Sequence, residues 1–369
     1  TAIIRDQSLN SVKEMKILYA IQGTGNGHIS RALEIIPILK KKAQVDVLVS
    51  ASQWELSLPF PIDYKFEGLG FIFGKKGGVD LLKTYLRLDT LRLIKEIRSL
   101  PVEKYDLIIS DFEPISAWAC QLRKKVCIGL SNQAVTLHPL APRPKNTASI
   151  GKMILEHYAP TTVNYGYHFK RFDNNVYTPI IRQEIREATV SDKGHITIYL
   201  PSYDDERVIK KLKEYNDIPF QIFSKRARSA YRQKNAWVLP LNRDSFIKSI
   251  ASSSGIITNA GFGTTAEALY LGKPLLVIPM KTQYEQHCNA AVLQSMGVSV
   301  MPSLKSKHLH LLDAWINEKS VIHVDYPDET EKLLDSIIQR HAGQKLTEST
   351  FEDEMKFIRR LLKPAGIPG

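Results

Sequence analysis

Residues 256–290 read IITNAGFGTTAEALYLGKPLLVIPMKTQYEQHCNA. A short apolar run, Ile256 and Ile257, stops at Thr258 and Asn259, and Gly261 and Gly263 follow with one residue between them. A helical stretch begins near Thr264 and is expected to end at Gly272, with Pro274 beyond it as a stop signal. Leu275 to Ile278 form a second apolar run, followed by Pro279 and a helix through Glu285 and Asn289. Strand, glycine turn, helix, strand and helix in this order predict a parallel α/β sheet. Glycines between a strand and a helix let backbone N–H groups close around an anion, and the helix N-terminus adds positive potential. A phosphate fits such a turn without a metal. Glu267, one turn into the helix, is an acceptor-only carboxylate able to take both hydroxyls of a ribose. Glu285 and Gln286 open the next helix on the same sheet edge, within reach of further hydroxyls. Each feature alone has a plain structural explanation: a tight βα turn, and a carboxylate that favours the helix dipole.

The three blocks TNAGFGTTAEAL, GKPLLVIP and EQHCNA, in that order and spacing, resemble the donor-nucleotide half of GT-B glycosyltransferases. Among these they look closest to cell-wall N-acetylglucosaminyltransferases and diacylglycerol galactosyltransferases. The resemblance implies an α/β fold of two Rossmann-like domains facing each other across a cleft. It implies that Gly261, Phe262, Gly263 and Thr264 lie against a diphosphate, that Glu267 binds the ribose, and that Glu285 and Gln286 hold the donor sugar. Glu285 stands where Asp is commoner in that family, which leaves the sugar open.

A chain of 369 residues is long for one core and suits two domains. Hydrophobic content of 43% and charged content of 24% are those of a soluble globular protein. No apolar run approaches the roughly 20 residues needed to span a bilayer, and no signal peptide is visible. Cys120, Cys127 and Cys288 have no metal-site spacing and no evident disulfide scheme, which fits a reducing, cytoplasmic setting. The net charge of +12 points to an anionic partner: a nucleoside diphosphate, an anionic lipid surface or nucleic acid. No nucleic-acid module signature is present, so nucleic acid is not expected.

Residues 1–14 precede a natural-looking start at Met15 and read as a cloning remnant or a disordered arm. Residues 15–165 are expected to form an acceptor-binding domain. Residues 166–190 form the changeover, residues 191–345 the nucleotide-sugar domain, and residues 346–369 carry a last helix, about 351–362, expected to return to the first domain. Strands are expected at Met15–Ile21, Val45–Ser50, Ile62–Phe66, Tyr105–Ser110 and Val126–Leu130, and again from His195–Leu200. From Val79 to Leu100 apolar residues recur at helical spacing among Lys83, Arg87, Arg92, Lys95 and Arg98. That is either a basic amphipathic helix touching an anionic membrane or a crossover helix with a solvated charged face. The loop at Gly74–Gly78 and the segment SNQAVTLHPLAPRPKN, from Ser131, are placed to line an acceptor cleft.

Gly23, Gly25 and Gly27 follow the first strand, with His28 at the helix start. The pattern G-x-G-x-G-H brings the third glycine one place early for a dinucleotide fingerprint. The acidic residue expected after the second strand is also missing, because Ser50 and Ala51 stand there. A nicotinamide oxidoreductase is therefore disfavoured. A glycine loop instead opens a cleft above the backbone, with His28 facing it. Imidazole, with an ordinary pKa of ~6.5, can take a hydroxyl proton near neutrality. In a doubly wound sheet the first and fourth strands are neighbours, so Asp111 should emerge beside His28. There it can orient the imidazole, act as the base itself, or merely cap the helix that Glu113 and Pro114 open. GTGNGHISRA and YDLIISDFEP also resemble the first loop and the Asp-bearing strand of GT-B enzymes, which implies a catalytic His28 and a partner Asp111.

The expected activity is an inverting, metal-independent glycosyltransferase that uses a nucleoside-diphosphate sugar, UDP-sugar first, with no cofactor. The acceptor is a hydroxyl, with a lipid or cell-envelope glycan precursor favoured, and the setting is cytoplasmic or peripheral at the inner face of the membrane. Ser202 is either a further phosphate contact or a turn serine. Arg226 and Arg228 either assist there or belong to a solvated loop. The alternatives are a nucleotide-sugar epimerase of the same fold and a non-catalytic anion-binding α/β protein.

Overall fold

The computed structural model describes residues 14–24, 26–51, 58–69, 89–144 and 149–344. Its first half runs β1 (Lys16–Gln22), α1 (Asn26–Lys40), β2 (Gln44–Ser50), β3 (Tyr64–Phe66), α2 (Thr90–Ser99), β4 (Leu107–Asp111) and α3 (Pro114–Leu122). It continues through β5 (Ile128–Leu130), α4 (Asn132–Thr136), α5 (Ser149–His157), β6 (Val163–Tyr167) and β7 (Val176–Tyr177). These strands form one sheet in the order β3-β2-β1-β4-β5-β6-β7, with every neighbouring pair parallel. β1 is apolar on both faces and buried along nearly its whole length, as a central parallel strand covered by helices must be. α1 lays Ile29, Ala32, Ile35, Ile36 and Leu39 on one of those faces, at i, i+3 and i+4 spacing. The sheet reaches Tyr177, inside the stretch that the sequence assigns to the changeover.

The second half runs α6 (Gln183–Arg186), β8 (Ile196–Tyr199), α7 (Asp205–Leu212), β9 (Phe220–Ser224), β10 (Tyr231–Gln233), β11 (Ala236–Pro240) and α8 (Arg243–Ser252). Then come β12 (Gly255–Thr258), α9 (Phe262–Tyr270), β13 (Leu275–Val277), α10 (Tyr284–Ser295), β14 (Ser299–Val300), α11 (Leu309–Glu318) and α12 (Thr330–His341). Their sheet has the order β10-β11-β9-β8-β12-β13-β14, parallel except for the hairpin partner β10. Leaving that hairpin aside, both sheets step outward from their first strand and then reverse, the doubly wound order. The two α/β domains expected from the sequence are thus present. One apolar cluster joins them, taking in Ile21 and Tyr165 of the first sheet, then Phe169, Phe262 and Ile256.

Gly272 closes α9 in the left-handed region at φ +62°, where a side chain would be strained. Lys273 N–H reaches back to the Ala268 carbonyl and Gly272 N–H to that of Leu269, the paired bonds of a glycine C-cap. Within the described residues, the helix that returns to the first domain is α12. Lys42 pairs with Glu331 and Asp335 on it, Tyr165 Oη meets His341 Nε2 at 2.9 Å, and Gly343 N–H donates to the Asp106 carbonyl. The expected helix at 351–362, residues 1–13, the Gly74–Gly78 loop and the segment 79–88 lie outside the described residues. The remainder of the basic segment is α2, capped by the Asp89 side chain and tied to the chain at Gly68 through Arg92 and Glu96.

Candidate active site

Asp111 is the last residue of β4 and pairs in register with Ile21 of β1. The chain leaves β1, turns and starts α1, which brings His28 back over the end of β4. His28 Nδ1 lies 2.9 Å from Asp111 Oδ1, and both side chains are buried. The helix that positions His28 also supplies Arg31, one turn on. Arg31 Nε donates to Asp111 Oδ2 at 3.1 Å and Nη2 to Oδ1 at 2.7 Å, while Nη2 also lies 2.8 Å from His28 Nδ1. Complete burial by itself would raise the Asp111 carboxyl. The Arg31 guanidinium and then His28 outweigh burial and hold it below the ordinary carboxylate range. Asp111 caps no helix. That work falls to Glu113, whose carboxylate accepts the Ile115 and Ser116 N–H groups at 2.7 and 2.6 Å.

The glycines ahead of His28 differ in role. Gly23 N–H donates to the Ser50 carbonyl at 2.7 Å, and a Cβ there would stand 2.7 Å from that of Ala51. Gly23 therefore serves the close approach of the β1 and β2 exits. Gly27 is exposed and open, and Gly25 lies outside the described residues.

In the second domain Gly261 is the N-cap of α9, and no side chain caps that helix end. A Cβ at Gly261 or Gly263 would meet nothing within 4 Å. The first N–H groups of any helix lack intrahelical acceptors, and here, among the described residues, no side chain claims them and there is room beside Gly261 and Gly263. Phe262 narrows the expectation: its ring is buried 4.8 Å from that of Phe169, so only its main chain is left for a ligand. That packing also starts the helix two residues ahead of Thr264.

Glu267 is buried and already engaged. Arg182, from the connection between the sheets, grips it with two bonds, Nε to Oε1 at 2.5 Å and Nη2 to Oε2 at 2.7 Å. Ser202 Oγ donates to Asn259 Oδ1 at 3.1 Å, at the exits of the neighbouring strands β8 and β12. Glu285 Oε2 accepts from Gln133 Nε2 at 2.9 Å, a contact between the two domains. Gln286 is turned inward. It accepts Met280 N–H at 3.0 Å and donates to Gln283 Oε1 at 2.7 Å, closing the loop between β13 and α10. Arg31, Arg182 and Gln133 escaped the sequence reading. Arg31 left a sequence signal in its i+3 position on the helix face of His28, and Gln133 lies in the segment from Ser131 expected to line the acceptor cleft.

His28 follows β1, the α9 N-terminus follows β12, and the Gln133–Glu285 contact joins the segments after β5 and β13. The carboxyl ends of the two sheets therefore meet, the edge on which open α/β sheets bind ligands. Among the described residues, no three His, Cys, Asp or Glu side chains stand close enough together to hold a metal ion. No described helix is long and apolar enough to cross a membrane. A cavity of about 750 Å3 opens between α3, α4 and α5, lined by Trp118, Leu137, His138, Leu155 and Asn164. Its floor includes Gly129, which alternates with Ile128 and Leu130 of the α1-side core. The cavity thus lies across the sheet from His28.

Known proteins place this arrangement. A curated relative from Methanosarcina acetivorans, described as an uncharacterized glycosyltransferase, is 24% identical over 95% of this chain and 98% of its own. A UDP-glucosyltransferase from Polygonum tinctorium superposes with a TM-score of 0.55 at 12% identity, covering 95% of this chain and 99% of that one. MurG of Acinetobacter baumannii does so with a TM-score of 0.50 at 14% identity, covering 94% and 99%. Both likenesses are of fold. The model of the family described as glycosyl transferase family 1 matches residues 15–314, which take in both sheets and the connection between them, and the chain belongs to that family as a glycosyltransferase of GT-B fold.

Proposed function

We propose that this glycosyltransferase is inverting and metal-independent, and that it moves a hexosyl or N-acetylhexosaminyl group from a UDP-sugar to an acceptor hydroxyl. One observation carries the reading. A buried histidine–carboxylate contact stands on one sheet edge, and an uncapped helix N-terminus stands on the edge that meets it. The acceptor oxygen attacks the anomeric carbon from the face opposite the diphosphate while its proton passes to His28 Nε2, the ring nitrogen turned away from Asp111. The bond from that carbon to the diphosphate oxygen breaks, and its electron pair leaves with the diphosphate. One displacement inverts the configuration. Amides at Gly261 to Thr264 and the α9 dipole meet the charge that builds on the leaving group, in place of a cation. Glu267 takes the ribose hydroxyls beside Arg182, Glu285 faces the donor sugar, and Ser202 supports the phosphate turn. UDP is favoured by the donor named for the Polygonum tinctorium enzyme. The acceptor is a lipid or envelope-glycan precursor met at an anionic membrane face. A net charge of +12 supports this, as do Leu91 and Ile94, exposed on α2 beside Arg92, Lys95 and Arg98.

The test compares the parent with His28→Ala. UDP should raise the melting temperature of both, because a ligand of the native state alone stabilises it. Acceptor-dependent release of the nucleoside diphosphate from the best donor in a UDP-, GDP- and TDP-sugar screen should fall by about 100-fold or more in the variant. Undiminished turnover would remove the base assignment. Conversion of the donor without any added alcohol would instead make the protein an epimerase.

A further inference from the structure

Three side chains converge where a single histidine–carboxylate pair would have sufficed. Arg31 forks both oxygens of Asp111 and also stands 2.8 Å from His28 Nδ1. A guanidinium has donors only, so Arg31 cannot relieve the imidazole of a proton, and its charge opposes a second positive charge on the ring. Around this group stand Tyr19 of β1 and Tyr167 of β6, with buried hydroxyls that have no hydrogen-bond partner among the described residues. Burial pushes both phenols well up, so they stay neutral. The charged and titratable groups here are then Asp111 from β4, Arg31 and His28 from α1, and these two phenols. Without Arg31, a fully buried Asp111 would have His28 as its one cationic partner among the described residues. A lone buried carboxylate favours the charged form of a ring beside it, and an imidazolium cannot accept the acceptor's proton.

We propose that Arg31 is a positioning residue that neutralises Asp111 and so keeps His28 unprotonated, a base instead of the cationic half of an ion pair. The carboxylate then fixes the ring through Nδ1 without drawing a proton onto Nε2. The step concerns the free enzyme, since it sets the state in which His28 meets the acceptor.

The proposal rests on His28 as the base, but its test needs neither donor nor acceptor. The Cε1–H resonance of His28, assigned by its loss in His28→Asn, is followed by NMR from about pH 5 to 9.5 in the full chain. In Arg31→Gln the titration midpoint should lie about one pH unit or more above the parent's. Arg31→Lys retains the charge and loses the fork, and its midpoint should stay within about half a unit of the parent's. Should Arg31→Gln fail to fold, Asp111→Asn gives the complementary reading: the guanidinium remains without its counter-charge, and the midpoint should drop. A merely structural Arg31 would lower the melting temperature of Arg31→Gln and leave the midpoint in place, and that result overturns the proposal. So does a midpoint in Asp111→Asn at or above the parent's. Turnover by His28→Ala, by contrast, would strike the base assignment and leave the titration standing.

Discussion

At the scale of single residues, Glu267 shows how a helix position can be read from the sequence while its partner stays hidden. Its place one turn into the helix after a glycine pair was legible. The Arg182 that holds both of its oxygens was not, because 85 residues separate them and only the path of the connection between the sheets brings them together. Glu267 is buried and Arg182 largely covered, with 7% and 13% of their side chains exposed. Removing one partner of such a pair strands the other's charge, which costs about 3–5 kcal/mol, whereas removing both costs far less. Arg182→Met should therefore lower the stability measured by urea unfolding by about that much, and Arg182→Met with Glu267→Gln should recover a large part of it. A double variant as unstable as the single one would mean that Arg182 matters for packing and not for the carboxylate. His28 and Asp111, in contrast, could be paired from the sequence because one opens the helix after β1 and the other ends β4, strands whose adjacency follows from the doubly wound order.

At the scale of elements, the proposed diphosphate site at the α9 N-terminus would set helix stability against ligand binding. Gly261 is the N-cap, with φ −74° and ψ 137°, a conformation open to any L-residue, and a Cβ there has room. Asp is a strong N-cap, better than Gly by a few tenths of a kcal/mol. The chain nevertheless carries a residue that leaves the N–H groups unclaimed. Gly261→Asp should raise the melting temperature slightly. Its carboxylate would occupy the amides and repel a diphosphate, so UDP affinity measured by calorimetry should fall by at least about tenfold. Equal or tighter UDP binding in the variant would show that the diphosphate is held elsewhere. The glycine spacing gave this turn away in the sequence. The burial of Phe262 against Phe169 and the inward turn of Gln286 did not show, because each is decided by a neighbour from another part of the chain.

At the scale of the molecule, the two domains share one apolar cluster, from Ile21 and Tyr165 through Phe169 and Phe262 to Ile256. α12, which follows the second sheet, returns to the first through Lys42, Tyr165 and Asp106. The repeat of one strand order was legible in the alternation of apolar runs and glycine turns. The packing of α12 on the first domain was not, because nothing in its own sequence names Lys42, Tyr165 or Asp106 as partners. A core continuous across both sheets should make their global unfolding one cooperative event. UDP bound at α9 should then protect the far domain as well, although it touches only the near one. At a UDP concentration about 100 times its dissociation constant the gain is about 2.7 kcal/mol, spread over every amide that exchanges by global opening. Hydrogen exchange followed by mass spectrometry should show peptides from β1 and from β12 slowed to the same extent by UDP. Slowing confined to β8–β14, with β1 unchanged, would mean that the domains open independently and that the shared cluster does not bind them into one unit.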